Sequence, residues 1–328
     1  MIRKKTMSPA RAVQSLCLAV VAVLLTGAPC LGEGKLFAIV AKSVSDQNFV
    51  RIYEAARVEA EENGDRIILV GGTGKAHFRI QDAQVQKVLE LKPNGLAISV
   101  LHSCFLAENS FKAVRAAGIP VVTFDSDFSG DYTHLRAGYV GTDNMNLGVL
   151  LALEARRLMP KGGRFAILTG GPDDTNLIDR IKGVLLGLDT GGKQSSWTQY
   201  QRSPLPCRDN YDQALDQLEV LLEDPTIDAI ISVGWWAQMA QDYERRISPY
   251  KPLLDSRKKI LLFAGAAPRQ RELLDQGLNH VNIGLNFEEM GRMVYRALSQ
   301  LSQGNNIPST AYSPIRIYRC PPVTDSYD

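Results

Sequence analysis

Residues 120–128 read PVVTFDSDF. Val121, Val122, Thr123 and Phe124 are uncharged, β-favouring residues, the pattern of a strand buried on both faces. The run stops at two carboxylates, Asp125 and Asp127, with Ser126 between them. Acids at the mouth of a buried strand have four readings. They hold a metal, share a proton for catalysis, accept hydrogen bonds from a hydroxylated ligand, or simply end the strand in a turn.

Similar segments recur on either side. Upstream lie KLFAIVA (35–41), RIILVGG (66–72) and GLAISV (95–100). Downstream lie AGYVGT (137–142), RFAILTG (164–170), DAIISVG (228–234), KILLFAG (259–265), VNIGL (281–285) and SPIRIYR (313–319). Between them the spacing predicts helices over 48–63, 79–91, around 106–117, and over 145–158, 175–188, 210–222, 236–247, 269–276 and 288–302. The first carries Phe49, Ile52, Ala56 and Ala60 on one face, and residues 190–207 read as irregular. Apolar strands alternating with amphipathic helices predict an α/β, doubly wound architecture with parallel sheets covered on both faces. Close to ten such units in 328 residues are too many for one sheet. Two similar lobes are expected, and the leftover units disfavour an eight-fold barrel.

The first 32 residues differ from the rest. Arg3, Lys4, Lys5 and Arg11 precede an apolar stretch, Ala12 to Leu25, and then TGAPCLGEG. A basic start, a short apolar middle and small residues at the end predict a secretory signal peptide over 1–32, with cleavage after Gly32 or Cys30. The apolar middle is short for a membrane anchor, and Pro29 suits lipid attachment at Cys30 poorly. The leader holds four of the 37 basic residues and none of the 35 acidic ones, so the chain without it carries a net charge of −2. No concentrated basic face suggests nucleic-acid binding. Cys104, Cys207 and Cys320 are widely spaced, without metal-ligand spacing, and which two would pair in an oxidising compartment is left open.

The order FAIVAKSVSDQNFVRIYEAARVEAEENG, NGLAISV, AGIPVVTFDSDF and YVGTDNMNLGVLLA resembles the type I periplasmic solute-binding proteins of the ribose and galactose group. DRIKGVLLGL, DPTIDAIISV, LLDQG and EEMGRMV downstream fit the same family. The resemblance runs from about residue 36 to 303, and its most specific parts are the Asp125 strand end and GTDN at 141–144. It implies two Rossmann-like lobes with parallel sheets flanked by helices, joined by a three-segment hinge. The N-terminal lobe would take 35–139 plus 286–313 and the C-terminal lobe 140–285 plus 314–328. It also implies sugar binding in the cleft between the lobes, without cofactor, by a monomer. The partner would be the membrane permease of an ABC importer, or else a sensor receptor.

Carried over by position, Asp125 matches the strand-end aspartate that accepts bonds from sugar hydroxyls, and charge-assisted bonds are about twice as strong as neutral ones. Arg180, three residues before Gly183, matches a ligand-facing arginine whose planar fork can donate two bonds to one ligand. Phe49 matches an aromatic that stacks on a sugar face, although it also fits the buried helix stripe. Asp46 matches a polar contact in the same loop.

The chain also departs from the pattern. Lys42 stands where a small hydroxyl residue is common, Gly234-Trp235-Trp236 replaces a polar pair, and Gly265 replaces a strand-end aspartate. Leu285, followed by Asn286, occupies the place of a hinge glutamine. Lys42, Asn286 and the two tryptophans are therefore candidate ligand contacts in a pocket more apolar on its second side than a hexose site.

GGTGK (71–75) lacks the spacing of a phosphate loop and reads as a polar turn. GGPDDTN (170–176) has the look of a phosphate or metal loop but serves equally as a strand-to-helix turn with a cap at Asp174 or Thr175. His77, His102, His134 and His280 sit in no recognisable catalytic setting, and His102 with Cys104 is the one suggestive pair. The chain is thus expected to be a secreted solute carrier, with an exported α/β enzyme as the rival of a different class.

Overall fold

The computed structural model describes residues 34–172, 174–190 and 195–320. The expected leader, and residues 321–328 of the expected tail, lie outside them. The strands in chain order are β1 (Leu36–Val40), β2 (Arg66–Val70), β3 (Gly95–Ile98), β4 (Val121–Phe124), β5 (Gly138–Gly141), β6 (Gly163–Thr169) and β7 (Trp197–Gln199). They continue with β8 (Leu205–Pro206), β9 (Ala229–Ser232), β10 (Ile260–Ala264), β11 (Val281–Leu285), β12 (Thr310–Tyr312) and β13 (Ile315–Arg319).

These form two sheets. The first runs β2-β1-β3-β4-β5-β12 and is parallel throughout. The second runs β7-β6-β9-β10-β11-β13, with β8 also on β6, and only β13 is antiparallel to its neighbour. In each sheet the opening strand, β1 or β6, lies inside, and the chain builds first on one side of it and then on the other. That reversal leaves a crevice at the carboxyl end of the opening strand, the usual ligand position in open α/β sheets. The chain passes between the sheets after β5, after β11 and after β12, and the amide of Ser313 donates to the carbonyl of Gly141 at 2.7 Å, tying two of these passages together.

β4 is buried at every position, as its uncharged run predicts. The helix Gln47–Glu62 buries Phe49, Ile52, Ala56 and Ala60, and it packs against the late helix Phe287–Ser302. Arg51 grips Glu288 across that seam with two hydrogen bonds. In the second lobe the helices Asn144–Leu158 and Thr175–Gly187 meet backbone to backbone at Gly148 and Gly183. A Cβ on Gly148 would strike the Arg180 carbonyl, and one on Gly183 the Met145 carbonyl.

Four details differ from expectation. β7 and β8 lie in the stretch read as irregular, and β12 has no counterpart among the expected strands; strands of two or three residues carry no periodicity of their own. The helix expected around 106–117 is two, Ser103–Glu108 and Ser110–Ala116, because the Asp82 carboxylate takes the amide of Ser110 at 2.9 Å and breaks the run. The helix expected over 236–247 is split into Trp236–Met239 and Tyr243–Ile247. Finally, β5 carries the first sheet through Gly141, past the expected boundary at 139, because Gly141 still pairs with Tyr312.

Gly183→Val should force the two second-lobe helices apart and cost about 1–3 kcal/mol, the usual range for overpacking. A urea titration of the variant checks this, and an unchanged midpoint would refute the close contact.

Candidate ligand-binding site

The first lobe brings three charged side chains to the carboxyl ends of its strands. After β4 the backbone of Asp125 turns left-handed, φ 58°, and the amide of Ser126 reaches back to the Phe124 carbonyl at 2.6 Å. Aspartate tolerates that region better than most residues, and strained backbone concentrates at working sites. The Tyr139 hydroxyl donates to the Asp125 carbonyl at 3.0 Å and holds the turn. On the side chain, Ser99 at the end of β3 donates to Oδ2 at 2.9 Å, and the Lys42 ammonium lies 3.5 Å from the same oxygen. Asp127 faces another way: Arg136 forks onto it, and Thr123 and the Phe128 amide donate to it. It fixes the loop.

Lys42 and Asp46 share the loop after β1. That loop is stitched to the turn 71–74: Val44 N donates to the Gly72 carbonyl, Ser43 Oγ to the Gly74 carbonyl, and Gly74 N to Ser45 Oγ. The glycine-rich segment thus braces the site. Asp46 caps the helix Gln47–Glu62, accepting from Asn48 through both its amide and its side chain. Burial pushes its carboxyl above the usual range, the neighbouring Asp125 adds to this, and Lys42 opposes it.

The second lobe answers with Arg180 and Asp174. Arg180 is 6% exposed on the helix Thr175–Gly187. Its Nε donates to Asn144 Oδ1 at 2.8 Å and its Nη1 to the Val233 carbonyl at 2.9 Å. Burial weakens its hold on its proton, while Asp125, Tyr139 and Asp174 act the other way. Asp174 holds the N-cap position of the same helix, with Oδ1 at 4.0 Å from Lys42 Nζ, so the charges of the two lobes meet. Trp236 is 8% exposed, lies against Gly170 and Gly234, and donates from Nε1 to Asp209 at 2.8 Å. Trp235 sets its ring edgewise to Phe287, centroids 6.0 Å apart, where the second passage between the sheets begins.

A profile of the periplasmic binding protein domain matches residues 37–306. The chain belongs to that family. No curated protein matches it in sequence. Among solved structures it is similar to a glucose-galactose binding protein from Geobacillus stearothermophilus, with 17% identity, a TM-score of 0.75, and coverage of 89% of this chain and 100% of that one. It is similar too to an ABC transporter solute binding protein from Burkholderia graminis in complex with D-arabinose, with 20% identity, a TM-score of 0.76, and 88% and 96% coverage. A third, from Actinobacillus succinogenes with bound D-allose, has 19% identity, a TM-score of 0.75, and 87% and 97% coverage. These likenesses establish the fold, two α/β lobes of the periplasmic binding protein type, and the neighbours are binding proteins.

In this periplasmic binding protein, Lys42, Asp46, Asp125 and Arg180 converge. Phe49 lies 6% exposed in the core, edge-on to Phe124 at 6.0 Å. The Asn286 side chain caps the helix Phe287–Ser302 by accepting from the Glu289 amide at 3.0 Å. Sequence reading missed Ser99, Tyr139, Asp209 and the partnership of Asn144 with Arg180. Asn144 lies in the GTDN segment that carried much of the resemblance, so a signal was present. Ser99 offered only a hydroxyl at a strand end.

Asparagine at 46 keeps the cap and removes a buried charge. Asp46→Asn should therefore be at least as stable as the natural protein near neutral pH, whereas Asp46→Ala should lose about 1 kcal/mol with the cap. Folded Asp46 holds its proton more tightly than unfolded Asp46, so ionisation erodes stability as pH rises through its raised value. Any gain in Asp46→Asn should disappear below the ordinary carboxylate range. Melting curves of both variants across that pH span test it, and an Asp46→Asn protein less stable at neutral pH would count against it.

Proposed function

We propose that this protein is an exported, periplasmic solute carrier that captures a small carbohydrate-like ligand between its lobes and delivers it to an ABC importer in the membrane. The carrying observation is that Lys42 lies 3.5 Å from Asp125 and 4.0 Å from Asp174, the N-cap of the helix that bears Arg180, so an acceptor from one lobe and a donor from the other are brought to the same place. Asp125 accepts hydrogen bonds and Arg180 donates them, and both are held rigid by neighbours. A polyhydroxylated ring needs both, because each hydroxyl is donor and acceptor at once.

Asp125 accepts from ligand hydroxyls, and the Arg180 fork donates to ligand oxygens from the opposite side. Lys42 and Asp46 complete the polar wall on the first lobe. Trp236 and Trp235 offer apolar faces on the second, Phe49 lies behind the first-lobe wall, and Asn286 stands at the passage between lobes. Family membership supports the carrier role. Delivery extends that reading: a two-lobed protein that closed on its ligand would present a surface a membrane partner can read.

A thermal-shift screen against pentoses, hexoses, polyols and aminosugars tests the reading. A ligand at about a hundred times its dissociation constant should add roughly 2.7 kcal/mol of stability. Asp125→Ala and Arg180→Ala should each remove that shift while leaving a folded protein. A shift only with aromatic or apolar solutes would end the carbohydrate assignment.

A further inference from the structure

Among the described residues, five charged groups from the two lobes come together. Asp46, Asp125 and Lys42 come from the first and Asp174 and Arg180 from the second. Arg180 is fixed in the wall by Asn144 and the Val233 carbonyl. Lys42 is different: its ammonium lies between the two lobes' carboxylates, 3.5 Å from Asp125 and 4.0 Å from Asp174, and its side chain is 12% exposed. Building on the carbohydrate-carrier reading above, we propose that Lys42 sets the charge class of the ligand: with its ammonium between Asp125 and Asp174 the cleft takes uncharged polyols and rejects their amino counterparts.

The oxygens of Asp125 show how. Ser99, Ser126 and Lys42 all engage Oδ2. Among the described residues none engages Oδ1, which can accept from a ligand hydroxyl. Lys42, with three N–H donors and no acceptor, can give a further bond to an oxygen of the same ligand. A neutral polyol satisfies both groups at once, by donating to Oδ1 and accepting from Nζ. A ligand ammonium in that place has nothing to accept with and meets a like charge in a poorly hydrated crevice, where repulsion is strong. Removing Lys42 inverts the situation. Arg180 would still act on Asp125 and Asp174 from the wall, and an ammonium on the ligand would take the place that Lys42 had held beside Asp125.

Calorimetric titration of the folded chain with galactose and glucose, and with galactosamine and glucosamine, tests this on the natural protein, Lys42→Met, Lys42→Arg and Asp174→Asn. The natural protein should prefer a neutral sugar over its amino counterpart by about tenfold or more, the scale of one unfavourable charge contact. Lys42→Arg should keep that preference, Lys42→Met should reverse it, and Asp174→Asn should strengthen it. A Lys42→Met protein that is folded by circular dichroism and keeps the natural ratio overturns the proposal. If that variant does not fold, an unchanged ratio in Asp174→Asn overturns it instead. Binding of an aminosugar by Lys42→Met alone would sink the neutral-sugar carrier reading while upholding the role of Lys42, and binding by no variant would sink both.

Discussion

A guanidinium taken out of water is costly unless its N–H groups find acceptors, and the second lobe is arranged around meeting that demand for Arg180. Its acceptors come from different elements: the side chain of Asn144, first residue of the helix that follows the passage out of the first sheet, and the carbonyl of Val233, just past β9. The helix bearing Arg180 can lie that close because Gly148 and Gly183 let two backbones touch. A helix, a strand end and the first passage between lobes therefore share one buried cation. On the facing side, the turn at Asp125 depends on Tyr139 and Ser99 in the same manner.

Much of this fold was legible because buried parallel strands leave long uncharged runs. β1, β4, β6 and β10 are fully or almost fully buried, and each stood out as a word in the sequence. β7, β8 and β12 did not, since pairing partners rather than their own residues make them strands. Phe49 shows a deeper ambiguity. It fits a helix stripe and a cleft wall equally well, and the neighbour it packs on, Phe124, is one that no pattern in sequence states.

The departures from the family pattern have a physical counterpart one layer down. Where a strand-end acid was expected after β10, Gly265 takes a φ of 102° and its carbonyl accepts from Asn282 at 3.0 Å. Asn282 belongs to a buried ring of amides with Gln238, Gln270 and Asn279, all 0–1% exposed and bonded to one another. Polar groups have not been lost from this end of the lobe. They have turned inward, where each satisfies the next and none is lent to the cleft, and a fully satisfied network of this kind stiffens what surrounds it.

The short marginal strands matter beyond the site. An open sheet ends in unpaired backbone groups that can template another chain. Here β12 and β7 close one side of each sheet with three residues apiece, and β13 closes another with Arg316 and Arg319 in its run. Arg319 is also held by Glu154 through a forked ion pair. Such edges offer an incoming strand little length to zip onto and a charge to desolvate. The architecture that sets two crevices face to face thereby also leaves these edges poor templates for another chain.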